Sequence, residues 1–406
     1  MRFIPPAGTP LGIKELASWL LTSLSDKNIL DHFALAVRGK MDISHCFFLS
    51  SGRAALALIT KVLYQLRNEP ARNEVIMPAY TCYSVPGSII RAGLKVRICD
   101  VEPVTLGYNL DALRQADFTN VLAIVSGNLY GIPNQLTEIE AIARDKGVYF
   151  IDDAAQSLGA KCDDRYAGTF GDIGLYSLDK GKNITSLQGA IIVTNQEAIA
   201  QNLGKAIESL PQTPTGAVIG YVIKTLIYSL FLRPHCYWIP KNLPFLGLGQ
   251  TIFTTEYPVT QFAPGLAALG FTLFMKESDI NGRRTMNGNL IRKAIAKNSQ
   301  IELIQVPENI APVYLRLPIL VGLPNRRTEL ISRMEKAGIG ASISYPESIA
   351  KLAEIHHDVV NRNEAMPGGC KVAESIVTLP THPYVTGWDI SNMTGVLHGF
   401  AKDQET

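Results

Sequence analysis

The sequence commits the chain to no extreme environment. Lys and Arg total 38 against 36 Asp and Glu, a formal net charge of only +2, so no strong field exists to draw in a nucleic acid. No CxxC pair occurs among the six cysteines, at 46, 82, 99, 162, 236 and 370. Their scatter suits a reducing, cytoplasmic setting better than a disulfide framework, and no metal site is expected. The N-terminus, MRFIPPAGTPLGIKELASWLL, places prolines and a glycine ahead of any apolar stretch, the reverse of a secretory signal. Internal repeats and low-complexity runs are also missing. The longest apolar segment, from Gly216 to Leu232, is interrupted by Lys224 and is shorter than the roughly 20 residues that cross a bilayer.

At 406 residues the chain is long enough for two or three domains. From Cys46 to about Thr194, short β-rich apolar runs (EVIMPA, KVRICD, VLAIVSG, VYFIDD, GLYSL, AIIVTN) alternate with helical stretches at 52–64, 82–92 and 135–146. This alternation predicts an α/β fold, a mostly parallel sheet between helices. The periodicity fails between about 204 and 255, then resumes with a helix at 275–297, a strand at VYLRLPILV, a helix at 327–337 and a strand at ASISYP. The expected division is a large domain over 1–255, carrying an apolar insertion at about 205–255, and a smaller α/β domain over 256–406.

In open parallel sheets ligands sit at the carboxyl ends of strands, and the unusual residues of this chain fall there. VYFIDD ends in Asp153. GLYSL runs through Ser177 into a glycine-bearing loop with Lys180 and Lys182. A loop lysine is ordinarily just solvated, and an acid at a strand end is common. FFLSSGRAALALI ends a strand at Ser50-Ser51-Gly52 and begins a helix, which aims free N–H groups and the positive end of a dipole outward. MPAYTCYSVPGSIIRAG supplies Tyr80 and Tyr83 at another strand-to-helix junction, either as core or as a flat surface for a ligand ring. An amine, a carboxylate, an anion cradle and an aromatic face are what a pyridoxal phosphate cofactor requires of a protein.

Taken in order, SSGRAAL, PAYTCYSVPGSIIRAGLKVRICDV, NLYGIPNQL, IDDAAQSLGA, YSLDKGK, GIGASISYP and IVTLPTHPYVT resemble the DegT/DnrJ/EryC1/StrS family of pyridoxal-phosphate-dependent sugar aminotransferases over nearly the whole chain. The resemblance implies the type I aminotransferase fold, with Lys182 as catalytic residue and Schiff-base anchor. It implies Asp153 on the pyridine nitrogen, Gln156 on the phenolic oxygen, and Ser177 with the Ser51-Gly52-Arg53 turn on the phosphate. It further implies an amino donor such as glutamate, a keto-sugar acceptor, in most cases nucleotide-linked, and a homodimer. Members that dehydrate sugars carry histidine in place of the lysine, so Lys182 points to transamination. The alternatives are a binding or regulatory member without turnover, or another pyridoxal reaction such as elimination or decarboxylation.

Three positions depart from the family pattern. Cys82 stands where an aromatic is common, leaving Tyr83, one place later, as the candidate ring-stacking residue. Asn128 replaces the histidine of HLYG. The segment YPVTQFAPGLAALG has neither the asparagine nor the arginine that reaches a neighbouring subunit's site.

For 216–232, burial at a subunit interface or over the active site is one reading. A membrane-surface contact through 216–240 is another, because Lys224, Arg233, His235 and Lys241 lie beside Tyr228, Tyr237 and Trp238 in the manner of an interfacial element. A spanning helix would leave Lys224 in lipid.

Overall fold

The computed structural model describes residues 2–243, 252–298, 300–322 and 324–402. In chain order the first half comprises α1 (Ile13–Ser25), α2 (Ile29–Met41), β1 (His45–Leu49), α3 (Gly52–Arg67), β2 (Glu74–Pro78), α4 (Ser84–Arg91), β3 (Lys95–Cys99), α5 (Leu110–Gln115), β4 (Val121–Val125), α6 (Leu136–Lys146), β5 (Tyr149–Asp153), β6 (Lys161–Cys162), β7 (Arg165–Tyr166), β8 (Ile173–Ser177) and β9 (Ala190–Thr194). There follow α7 (Glu197–Glu208), α8 (Thr215–Phe231), α9 (Trp238–Lys241), α10 (Pro264–Phe274), α11 (Glu277–Ile295), β10 (Ile301–Leu303), β11 (Ile310–Ala311), β12 (Leu317–Val321), α12 (Pro324–Lys336), α13 (Pro367–Ser375), β13 (Ile376–Leu379) and α14 (Gly387–Lys402).

Seven strands form the main sheet in the order β1-β9-β8-β5-β4-β2-β3. From β3 across to β8 every pairing is parallel, and β9 then pairs antiparallel with both β8 and β1. Two antiparallel steps return β1 to the direction of β8, so β1 ends on the same edge as β2, β4, β5 and β8. The central strands are buried and mostly apolar along their length because both faces are covered. Along β2, Val75 and Met77 enter one core and Ile76 the other; along β9, Ile192 enters the first and Ile191 and Val193 the second. The period-2 alternation of a strand thus feeds two cores.

The second sheet, β10-β12-β13, is antiparallel and is flanked by α12 and α13, with α14 packed on α11 and α12. The expected strand at ASISYP does not form. Its only pairing is an isolated bridge between Ser342 and Thr378, because the Ser342 hydroxyl accepts from the N–H of Ser344 and Ser344 takes a left-handed φ of 58°. This local side-chain turn competes with the ladder and bends the chain.

The apolar stretch at 216–232 is helical, as α8, and no described helix is long and apolar enough to cross a membrane. One face is anchored: the Tyr228 hydroxyl accepts from the N–H of Thr9 at 3.1 Å, and Leu232 is buried against Gly8. On the other face Ile219, Ile223, Leu226, Ile227 and Leu230 are exposed. Residues 244–251 of the expected insertion lie outside the described residues.

Candidate active site

The shared sheet edge carries a cavity of about 480 Å³ lined by Ser51, Gly52, Arg53, Asp153, Ser177 and Lys182. A second cavity, of about 280 Å³, shares Lys182, Asp179 and Cys82 with the first and adds Gln156. Seven of the eight residues expected from sequence therefore meet around Lys182. The exception is Tyr83. Its ring is buried beside Tyr345, and its hydroxyl both donates to the carbonyl of Glu347 and accepts from that residue's N–H. Tyr83 lines neither cavity, and the position expected to stack on a ring is held by Cys82, one residue earlier.

The cradle is built by a helix start. Ser51 caps α3, its hydroxyl accepting from the N–H of Ala54 at 3.2 Å, which leaves the Gly52 and Arg53 amides pointing past the cap as the first unpaired donors of the helix. Glycine at 52 keeps the approach open, since a Cβ there would lie a tight 3.3 Å from Cβ of Ser177. The Arg53 guanidinium lies over the ring of Tyr257 at 5.3 Å, and Arg91 approaches the same ring at 4.6 Å. Tyr257 opens the segment that lacks the expected asparagine and arginine, so this end of the cavity acquires its cation from Arg53 within the same chain.

Asp153 is held from behind. The N–H of Ala155 donates to its carboxylate at 2.9 Å, and its own N–H donates to Ser126 Oγ. Burial pushes the Asp153 carboxyl up to about 6, against the pull of the Ala155 N–H and the Lys182 charge. Its neighbour Asp152 points the other way, into the sheet, and accepts from Ser126 Oγ, Asn128 Nδ2 and the N–H groups of Gly168 and Phe170. Asn128 also donates to the carbonyl of Asp153 and accepts from the N–H of Asn134. An amide at 128 is thus consistent with its surroundings, because its Nδ2 donates to both Asp152 and the Asp153 carbonyl while its Oδ1 accepts, whereas a neutral imidazole has a single N–H.

Lys182 follows Gly181, whose φ of 78° explains the glycine. The lysine backbone is fixed by its carbonyl, which accepts from Thr9 Oγ1 at 2.7 Å and from Arg284 Nη2 at 3.2 Å. Arg284, fully buried on α11, also donates to the carbonyls of Asn183 and Gly8. Burial pushes its guanidinium down to about 10, so it stays charged at neutral pH. Gln156 is locked as well, its Oε1 accepting from the N–H of Tyr130 and its Nε2 donating to the Tyr345 hydroxyl.

Comparison with known proteins settles the family. The model of the DegT/DnrJ/EryC1/StrS aminotransferase family matches residues 16–209 and 258–398. The chain belongs to this family. Among its relatives, a GDP-4-keto-6-deoxy-D-mannose 3-dehydratase of Yersinia pseudotuberculosis is 30% identical over 72% of this chain and 70% of its own length. An L-glutamine:2-deoxy-scyllo-inosose aminotransferase of Streptomyces kanamyceticus is 30% identical over 40% of this chain and 37% of its own. The solved Escherichia coli GDP-4-keto-6-deoxy-D-mannose-3-dehydratase with bound hydrated PLP superposes with a TM-score of 0.78 at 19% identity, covering 98% of this chain and all of that one. The members of this DegT/DnrJ/EryC1/StrS group share the α/β fold found here.

Sequence reasoning missed four residues of the site. Arg284 sits in a polar helix, ESDINGRRTMNGNLIRKAI, where nothing marks one arginine as buried. Thr9 lies in an irregular N-terminal segment. Gln188 lines the first cavity with a side-chain oxygen that has no partner among the described residues. Arg316 lines the second, and a lone charge in VYLRLPILV was its signal.

Two outcomes are expected. Arg284→Ala removes a donor from three buried carbonyls and should cost about 3–5 kcal/mol in urea unfolding. Among the described residues the Gly8 carbonyl then keeps no other donor, and those of Lys182 and Asn183 keep only Thr9 Oγ1. For Asp153, whose folded value lies above its unfolded one, the folded state binds more protons between about pH 4 and 6. The stability of the cofactor-free protein should therefore fall as pH rises through that window. Asp153→Asn should flatten this slope in thermal unfolding.

Proposed function

We propose that the chain is a pyridoxal-phosphate-dependent transaminase that moves an amino group from a donor such as glutamate to a keto-sugar, probed first as a nucleotide-linked sugar. The observation that carries the reading is the meeting of Lys182, Asp153 and the Ser51–Arg53 helix start around one cavity. The residues fit the cofactor. A carboxylate pushed up to about 6 by burial feels the charge of Lys182 but makes no direct ion pair among the described residues, and a ring N–H would supply one. The unpaired amides of Gly52 and Arg53 with the Ser177 hydroxyl suit a phosphate.

When bound, pyridoxal phosphate supplies an electron sink that stabilises negative charge on the carbon bearing the amine. Asp153 keeps a proton on the ring nitrogen. Gly52, Arg53, Ser51 and Ser177 hold the phosphate and so fix the ring, and Gln156 faces its phenolic oxygen. Lys182 would hold the cofactor through Nζ and, as the free amine, would be the group that holds and moves a proton in the site, from a loop whose backbone is tied down at the Lys182 carbonyl. Lysine at this position favours transamination over the dehydration named for the Yersinia relative, and product analysis on keto-sugars separates the two.

We divide the chain into a cofactor-bearing part over 1–255 and a smaller part over 256–406, and place it in the cytoplasm, where its six free thiols stay reduced. A homodimer accounts for the exposed apolar face of α8, together with Ile13, Leu20 and Leu21 on α1, since contiguous apolar surface of this kind marks an interface. Mass measurement in solution should give twice the chain mass. Trp238 and Ile239, half-exposed beside Lys241, favour a peripheral membrane contact as the second reading. Retention of the protein by anionic liposomes, lost on Trp238→Ser, would support it.

The central test is spectroscopic. With added pyridoxal phosphate the protein should gain a near-visible absorbance band that glutamate bleaches, and Lys182→Ala should lose the band and about 10²–10⁴-fold or more of the transfer rate. A protein that takes up no pyridoxal phosphate contradicts the assignment.

A further inference from the structure

Arg316 stands in an apolar run immediately before β12, between the buried residues Leu315 and Leu317. Its charge reaches Tyr130, Tyr237, Tyr345 and His382, for each of which burial is the dominant effect. Its guanidinium is therefore set among buried rings rather than in open solvent. Other shielded arginines of the chain have partners: Arg2 pairs with Asp389 at 2.7 Å, Arg97 with Glu74 at 2.7 Å and Arg326 with Glu329 at 2.6 Å, while Arg284, Arg292 and Arg327 donate to backbone carbonyls. Among the described residues Arg316 has neither a carboxylate partner nor a hydrogen bond. A half-buried cation left unpaired in a protein whose comparable arginines are paired is placed for an anion that comes from outside.

The location narrows which anion. Arg316 lines the 280 Å³ cavity together with Lys182, Gln156, Ser342, Ser344 and Tyr345. The phosphate cradle opens into the other cavity, so the cofactor's phosphate has its own site across the shared Lys182. Asp179 and Lys180, both exposed on the same rim, oppose each other in sign, and Arg316 with Lys182 leaves the cavity positive. The amine that displaces Lys182 must arrive within bonding distance of the atom that Lys182 holds. In an α-amino acid a carboxylate lies one carbon from that amine. The cavity is small for a nucleotide-linked sugar and ample for a five-carbon amino acid.

Resting on the aminotransferase reading above, we propose that Arg316, with hydroxyls of Ser342 and Tyr345 beside it, is the site that holds a carboxylate of the amino-acid donor. A guanidinium suits this role because its fork pairs with both oxygens of a carboxylate and fixes the direction of the attached carbon, which a lysine ammonium cannot do.

The test uses the cofactor-loaded protein and its Arg316→Gln and Arg316→Lys variants. Calorimetric titration with glutarate, which has two carboxylates and no amine, reads the site without turnover. Absorbance titration with L-glutamate alone reads the donor half-reaction, and a keto-sugar added to the aminated protein reads the acceptor half. Arg316→Gln should take up the cofactor as the unaltered chain does, yet bind glutarate and glutamate about 10–100-fold more weakly. Arg316→Lys should fall between, and the acceptor half-reaction with a neutral sugar should keep its KM. Unchanged glutarate and glutamate affinities in Arg316→Gln overturn the proposal, as does a loss confined to an acidic keto-sugar, which would assign the anion to the acceptor. Failure of the unaltered chain to take up cofactor is a different result: it overturns the aminotransferase reading itself.

Discussion

Arg284 is a cation buried without a carboxylate, and the position of Lys182 depends on it. Burying a guanidinium costs several kcal/mol unless its donors are satisfied. Here they are satisfied by backbone: the carbonyls of Gly8, Lys182 and Asn183, with Thr9 Oγ1 and Asn281 Oδ1 around them. One side chain on α11 thus joins the N-terminal segment, the lysine loop and the second half of the chain. Leu178, Ile184 and Leu187 anchor the loop after β8 in the core, but at Lys182 itself the other backbone contacts among the described residues are those of Thr9 and a long contact to Asp179 at 3.3 Å. With the Arg284 clamp, the Lys182 backbone is tied down while its four-carbon stem keeps its rotatable bonds, which suits the role proposed for this lysine.

The clamp matters because of what the sheet places opposite it. β1, β5 and β8 end on one edge, so Ser51, Asp153 and Ser177, from three separate stretches of sequence, face a common space. The arrangement carries a cost, because the carboxylate is buried there without a direct ion pair. Asp153 is pushed up to about 6, and the Asp152 network behind it offers no relief because its donors are already engaged. A site that is destabilised in this way by its own carboxylate is one that gains stability from its ligand, by the same amount as the ligand relieves. The N-terminal segment adds a further tie: burial holds His382 down at about 4, so it is neutral, and its Nε2–H donates to the carbonyl of Pro5.

Much of this architecture is legible in the amino-acid sequence. Alternating apolar runs announce the parallel sheet, and the strand ends pick out Asp153, Ser177, Ser51 and Lys182 because polar residues there have few structural reasons to recur. The remainder follows from three-dimensional geometry. Tyr83 and Cys82 are neighbours at a helix start, and which of them faces the cavity is decided by the helix rotation, fixed by Glu347 far along the chain. ASISYP has strand composition but is bent by a serine side chain that outcompetes the ladder. Arg284 and Arg283 are adjacent in sequence, and only the packing of α11 against the lysine loop makes one of them buried. Arg316 is the exception that leaves a trace, a single charge in an otherwise apolar strand pattern.

The account stands on the identity of one amine, and covalent trapping reads it directly. Incubating the full chain with pyridoxal phosphate, reducing with borohydride and digesting for mass spectrometry should place the added mass on the peptide containing Lys182, at Lys182 and not at Lys180. Stoichiometric labelling of any other lysine, or none at Lys182 while the protein retains the cofactor, would contradict it.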